Sequence, residues 1–143
     1  MIISDILRGK GSDVVTVPPD TSIEALVGLL AEHGIGAVVV SSDGATVEGI
    51  ISERDVVRAL AAQGPGVLSA TVDEICTRDV ITTTPSARAR ELRQVMTDGR
   101  FRHVPVISDG RLQGIVSIGD VVKASITQLE SDAAALTNYI TSG

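Results

Sequence analysis

Gly49-Ile50-Ile51-Ser52-Glu53-Arg54-Asp55 and Gly114-Ile115-Val116-Ser117-Ile118-Gly119-Asp120 are one phrase written twice, 65 residues apart. Each copy closes a β-branched run, offers a Ser, and sets an Asp three residues later. Val-Val follows both times, at Val56-Val57 and Val121-Val122. Apolar residues at strand spacing, then Ser-x-x-Asp opening a further apolar run, read as a strand feeding a helix N-terminus.

Upstream of the first copy, Ile2-Ile3 and Ile6-Leu7 make a short apolar turn, and residues 8–12 (Arg8 to Ser12) read as a flexible loop. Val14 to Val17 reads as a strand stopped by Pro18-Pro19. Thr21-Ser22-Ile23-Glu24 has capping-box spacing with Thr21 as N-cap, and Ile23, Leu26, Val27 and Leu30 give the helix its apolar face. Gly34 ends that helix, Ala37 to Val40 is a buried strand, Asp43-Gly44 turns the chain, and Val47 to Ile51 is the next strand. The helix opened by Ser52 runs to about Ala62, where Gly64-Pro65-Gly66 breaks it.

The second half repeats this order. Val80 to Thr83 answers the first strand, residues 86–97 answer the first helix, and Val104 to Ile107 answers the middle strand. Asp109-Gly110 answers Asp43-Gly44. Self-similarity at a fixed offset dictates architecture. The expected fold class is α/β: two β-α-β-β-α repeats related by a pseudo-twofold axis and packed through their sheets and helices. The divisions are residues 1–66, 67–125 and a C-terminal helix over 126–143. In that helix Val122, Ile126, Leu129, Ala133, Leu136 and Ile140 alternate four- and three-residue steps. Such a stripe suits a helix folded back on its own module or a contact between two copies.

Composition removes several classes. Hydrophobic content of 43% with only 1% aromatic residues gives a core of Val, Ile, Leu and Ala and no row of stacking platforms. A formal charge of −6 argues against a phosphate-backbone binder, so no nucleic acid partner is expected. The single cysteine, Cys76, fits a reducing compartment. No secretory leader pattern opens the chain, and its apolar runs fall well short of the ~20 residues that span a bilayer. A cytoplasmic protein without a membrane partner is expected. His33 and His103 lack metal-ligand spacing partners, and neither a P-loop nor a nucleophile elbow is present. Catalysis is not expected.

Two β-α-β-β-α repeats that each end in Gly-hydrophobic-hydrophobic-Ser-x-x-Asp resemble a tandem pair of CBS domains. The phrase Arg102-His103-Val104-Pro105-Val106, followed by Asp109-Gly110, Gly114 to Ser117 and Asp120, is similar to that family's motifs. The resemblance covers about residues 1–125. It implies a disc with two related clefts for adenosyl ligands: AMP, ADP, ATP or S-adenosylmethionine. It also implies Asp55 and Asp120 on ribose hydroxyls, Ser52 and Ser117 near phosphate, and Arg102, His103, Val104 and Pro105 along the pocket. Thr16 and Thr82 come from the first strands. No fused enzyme or channel is visible, so the resemblance implies a stand-alone sensor; the regulated protein is unknown, and the stripe on the C-terminal helix makes a homodimer the expectation. No cofactor is required.

The residues themselves allow two compatible readings of each corner. Ser at N-cap with Asp at N3 is a capping arrangement worth about 0.5–2 kcal/mol. A helix N-terminus is also an anion site, although a carboxylate beside it repels phosphate and suits ribose hydroxyls better. The corner therefore fits a nucleoside whose phosphate is displaced toward a cation. Residues 80–111 hold six arginines against three acids, with Arg102 and His103 at the mouth of the middle strand. Their first-repeat equivalents are Gly36 and Ala37. This count points to Ser117-x-x-Asp120 as the occupied corner, with the first copy weaker, empty or served by Arg54. The rival reading is a homodimeric interaction module with no physiological nucleotide.

Overall fold

The computed structural model describes residues 1–11 and 14–142. Ser12, the end of the loop expected after Lys10, lies outside the described residues. The first sheet holds β1 (Thr16–Val17), β2 (Ala37–Val40) and β3 (Gly49–Ser52), with β1 parallel and β3 antiparallel to the central β2. All four residues of β2 are buried, as an unbroken Ala-Val-Val-Val run requires. The second sheet pairs β4 (His103–Ser108) with β5 (Arg111–Ser117) antiparallel. The α/β class and the repeated order are those expected from the sequence.

The strand expected over Val80 to Thr83 does not form. It survives as one parallel bridge, Thr83 to Val106, in which the Thr83 N–H donates to the Pro105 carbonyl at 3.0 Å. The Ile107 N–H returns to the Thr83 carbonyl at 2.9 Å. The next ladder bond upstream would need an N–H on Pro105, and proline has none.

Helix α1 (Ile3–Lys10) replaces the expected turn and loop. The Asp5 carboxylate accepts from the Ile2 N–H at 3.0 Å, and Arg8 and Lys10 sit in the last turn, where cations suit the helix dipole. Helix α2 (Ile23–His33) is capped one residue later than expected: Ser22, not Thr21, accepts from the Ala25 N–H, at 3.1 Å. Ile23, Leu26 and Leu30 are buried while Val27 is exposed. Helix α3 (Glu53–Gln63) follows β3, a short 3-10 turn spans Pro65–Ser69, and α4 (Val72–Ile75) follows. Helix α5 (Ala89–Gly99) starts late because residues 84–87 make a turn.

The two cores exchange segments. Helix α1 gives Ile3, Ile6 and Leu7 to the core of the second sheet, beside Leu92, Met96, Val104 and Val116. Helix α4 gives Val72 to the core of the first, beside Leu26, Val38 and Ile51. The tethers match: Ile2 bridges Arg88 while Thr71 bridges Ser22. Equivalent glycines receive the exchanged elements. A Cβ on Gly49 would meet Cys76 Sγ at 3.0 Å, and one on Gly114 would meet Leu7 Cδ2 at 2.7 Å.

Helix α6 (Ile118–Ser142) buries only Val121 and Ala124. From Ile126 onward every described residue is exposed, so the stripe of Ile126, Leu129, Leu136 and Ile140 is not folded back on the module. Among the described residues no helix is long and apolar enough to cross a membrane.

Candidate functional site

Both strand-to-helix corners form as the sequence predicts, and they differ in what they face. In the first, Ser52 caps α3: its Oγ accepts from the Asp55 N–H at 3.3 Å. Asp55 answers by accepting from the Ser52 N–H at 2.9 Å and from the Ser52 hydroxyl at 3.1 Å. Among the described residues, these bonds to the Asp55 carboxylate all land on Oδ2, which leaves Oδ1 uncommitted.

That corner opens onto a cleft of about 1090 Å³ between the repeats. Ser52, Asp55, Arg54 and Arg58 line one side, and Arg100, Phe101, Arg102 and His103 line the other. Thr77, Asp79, Val80 and Ile81 line it from the segment joining α4 to the second sheet. Four guanidinium groups against Glu53, Asp55 and Asp79 give this cleft an excess of positive charge within an acidic chain.

Arg100 stands at the C-cap of α5 with φ 58° and ψ 34°, the left-handed conformation that Gly34 adopts at the matching end of α2. An arginine there is strained where glycine is not, and such strain is characteristic of functional positions. Phe101, the single phenylalanine, is 37% exposed. Its ring lies where a side chain on Gly99 would collide with it at 2.3 Å. His103 is half-buried and its imidazole lies against Gly36, where an added Cβ would meet it at 3.4 Å, an ordinary van der Waals contact. Burial, then the Lys10 ammonium, lowers the His103 pKa from its ordinary 6.5, with Glu53 and Asp120 pulling the other way and Arg102 adding to the fall.

The second corner is built alike and faces a different group. Ser117 Oγ accepts from the Asp120 N–H at 3.1 Å, and Asp120 Oδ2 accepts from the Ser117 N–H at 2.8 Å. Lys10, from the end of α1, donates to the same Oδ2 at 2.6 Å and to the Ile115 carbonyl at 2.9 Å. Burial works to raise the Asp120 pKa, but the Lys10 and Ser117 hydrogen bonds outweigh it and hold the carboxyl below the ordinary carboxylate range.

Of the residues singled out from the sequence, the cleft thus gathers Ser52, Arg54, Asp55, Arg102 and His103. Arg102 and His103 keep their backbone beside the second corner, where His103 pairs with Ser117 and the Ile118 N–H donates to the Arg102 carbonyl at 2.8 Å. They nevertheless line the same cleft as the first corner. The reason is the crossing of the repeats, which points the mouth of β4 at the N-terminus of α3. Thr16 stays half-buried in β1, paired with Val39, and Thr82 is exposed in irregular chain. Val104, with 0% exposure, belongs to the second core, and Pro105 is buried in β4. None of these four lines the cleft. Arg90 and Arg93 are exposed on α5 and Arg88 is exposed at its N-cap, a solvated face as expected. Sequence reasoning missed Lys10, Arg58, Asp79, Arg100 and Phe101. Only Phe101 carried a local signal, since it directly precedes Arg102-His103. Among the described residues, no group of three or more His, Cys, Asp or Glu could hold a metal ion.

Two α/β units in matched register, joined across a cleft and each closed by a capped strand-to-helix corner, define a tandem-repeat module. The sequence profile of the CBS domain matches twice, at residues 3–62 and 72–127. The chain belongs to the CBS-domain family and carries the domain as a pair. It is 36% identical to the CBS domain-containing protein CBSX3, mitochondrial, of Arabidopsis thaliana, over 99% of this chain and 72% of that protein. The crystal structure of the CBS-domain containing protein ATU1752 from Agrobacterium tumefaciens is 50% identical, with a TM-score of 0.84 over 87% of this chain and 99% of that one. The CBS domain pair of protein MJ0100, solved with 5′-methylthioadenosine and S-adenosyl-L-methionine, is 27% identical. Its TM-score is 0.78 over 90% of this chain and 98% of that one.

Proposed function

We propose that the chain is a non-catalytic regulatory module of the cytoplasm that binds an adenine nucleotide, AMP first among them, in the cleft beside Asp55. The observation that carries this reading is the grouping of an uncommitted Asp55 oxygen with Arg54, Arg58, Arg100 and Arg102 around one volume. Ribose hydroxyls donate to the carboxylate, and the phosphate moves off to the guanidinium groups, which hold it by charge-assisted bonds. Phe101 offers the flat face that an adenine ring needs. The same four cations disfavour the sulfonium of S-adenosylmethionine, so phosphorylated adenosines rank above it. A ligand regulates only by its differential affinity for two states, so the regulated protein is the second half of the mechanism.

A thermal-shift panel of AMP, ADP, ATP, S-adenosylmethionine and NADH tests this directly. A nucleotide at a hundred times its Kd adds about 2.7 kcal/mol, hence a rise of roughly 5–10 °C in Tm. Flat curves with all five at millimolar concentration end the nucleotide reading.

One observation favours a second reading, a homodimeric interaction module. The stripe on α6 leaves Leu129, Leu136 and Ile140 each at least 60% exposed, which suits a helix that meets its copy in another chain. On this reading the full chain sediments as a dimer and a chain ending at Ser125 as a monomer. Identical sedimentation of the two would remove α6 from the interface.

A further inference from the structure

We propose that Lys10 is a built-in occupant of the second corner, so that each chain offers one nucleotide site rather than two. This rests on the nucleotide reading above and adds the number of sites and the residue that sets it. The Lys10 ammonium donates to Asp120 Oδ2 at 2.6 Å and to the Ile115 carbonyl at 2.9 Å. Among the described residues Oδ1 is left without a hydrogen bond, as at Asp55, so what sets this corner apart is the cation seated on it. It also neutralises the carboxylate that would otherwise receive ribose hydroxyls. Its delivery is structural. Lys10 sits in the last turn of α1, and α1 is held to the second core by Ile3, Ile6 and Leu7. A tethered group competes at an effective concentration on the order of millimolar or above. A free nucleotide at this corner binds more weakly by the factor that this intramolecular competition imposes.

The first half carries the opposite charge at the corresponding sequence position. Leu7 and Cys76 are equivalent because each fills the space above its own corner glycine, Gly114 or Gly49. Three residues on in sequence stand Lys10 and Asp79, the first still in α1 and the second beyond the end of α4. Asp79 lines the open cleft, where a carboxylate cannot satisfy Asp55. One charge inversion, Lys for Asp, separates a filled corner from an open one.

Isothermal titration of the full chain with AMP decides the matter. The native chain takes one AMP; Lys10→Met, which keeps the stem and loses the charge, takes two. The added site disappears again in Lys10→Met with Asp120→Asn, and Lys10→Arg stays at one. Two sites in the native chain, or one in Lys10→Met, overturns the inference while leaving the nucleotide reading in place. Loss of the single site in Lys10→Met also overturns it, because Lys10 would then be a ligand. Absence of AMP binding to every variant removes the nucleotide reading and this inference with it, and so is distinct from the other failures.

Discussion

Asp55→Asn weakens AMP binding roughly 10- to 100-fold, because a hydrogen bond to a charged group contributes about 1.5–3 kcal/mol and each 1.4 kcal/mol is a factor of ten. Asparagine keeps an oxygen that accepts from the Ser52 N–H, so the α3 cap persists and Tm in the absence of ligand moves little. Asp120→Asn leaves the affinity within about twofold, since its carboxylate is already engaged by Lys10. Titration calorimetry on the two variants reads both effects. Equal losses would refute the assignment of the site to the first corner. This ordering reverses the one that the arginine count suggested. Arg100 and Arg102 of the second repeat line the same cleft as Asp55 of the first.

Ile3→Ala lowers stability by about 2–5 kcal/mol, the range for deleting a fully buried aliphatic side chain, and lowers Tm by roughly 6–15 °C. Ile3 has 0% exposure and packs in the second core although it stands near the start of the chain. Ile2→Ala, one residue earlier and 38% exposed, serves as the control and costs less than about 1 kcal/mol. Melting curves of the two variants suffice. Parity between them would mean that α1 is not an integral part of the second core.

The corner phrase was fully legible because its chemistry is local. A β-branched run, a Ser and an Asp at N3 specify a strand, a cap and a helix with no help from tertiary structure. Repetition in register then supplied the architecture. The missing strand at Val80 to Thr83 was not legible as such, although Pro105 was in plain view, because its effect falls on a partner twenty residues away. The exchange of α1 and α4 between cores left no mark in the pattern, since a short apolar turn looks alike whichever sheet it covers. The cleft was half legible for the same reason. Ser52, Arg54, Asp55, Arg102 and His103 were named, but which corner faced which cations depends on how the repeats cross. Lys10 is the extreme case: its partner is 110 residues away, and a lysine before glycine reads as solvent-facing loop.

Helix α6 buries its first turns and leaves the rest bare. At 1.5 Å per residue, the bare part from Ile126 to Ser142 reaches roughly 25 Å past the body of the protein. Its base, Ile118, lines the cleft. Geometry makes such a rod a pointer: a tilt of about 10° at Ile118 sweeps the far end, about 37 Å away along the helix, through roughly 6 Å. An adjustment at the cleft too small to repack either core would still move the tip by several ångströms.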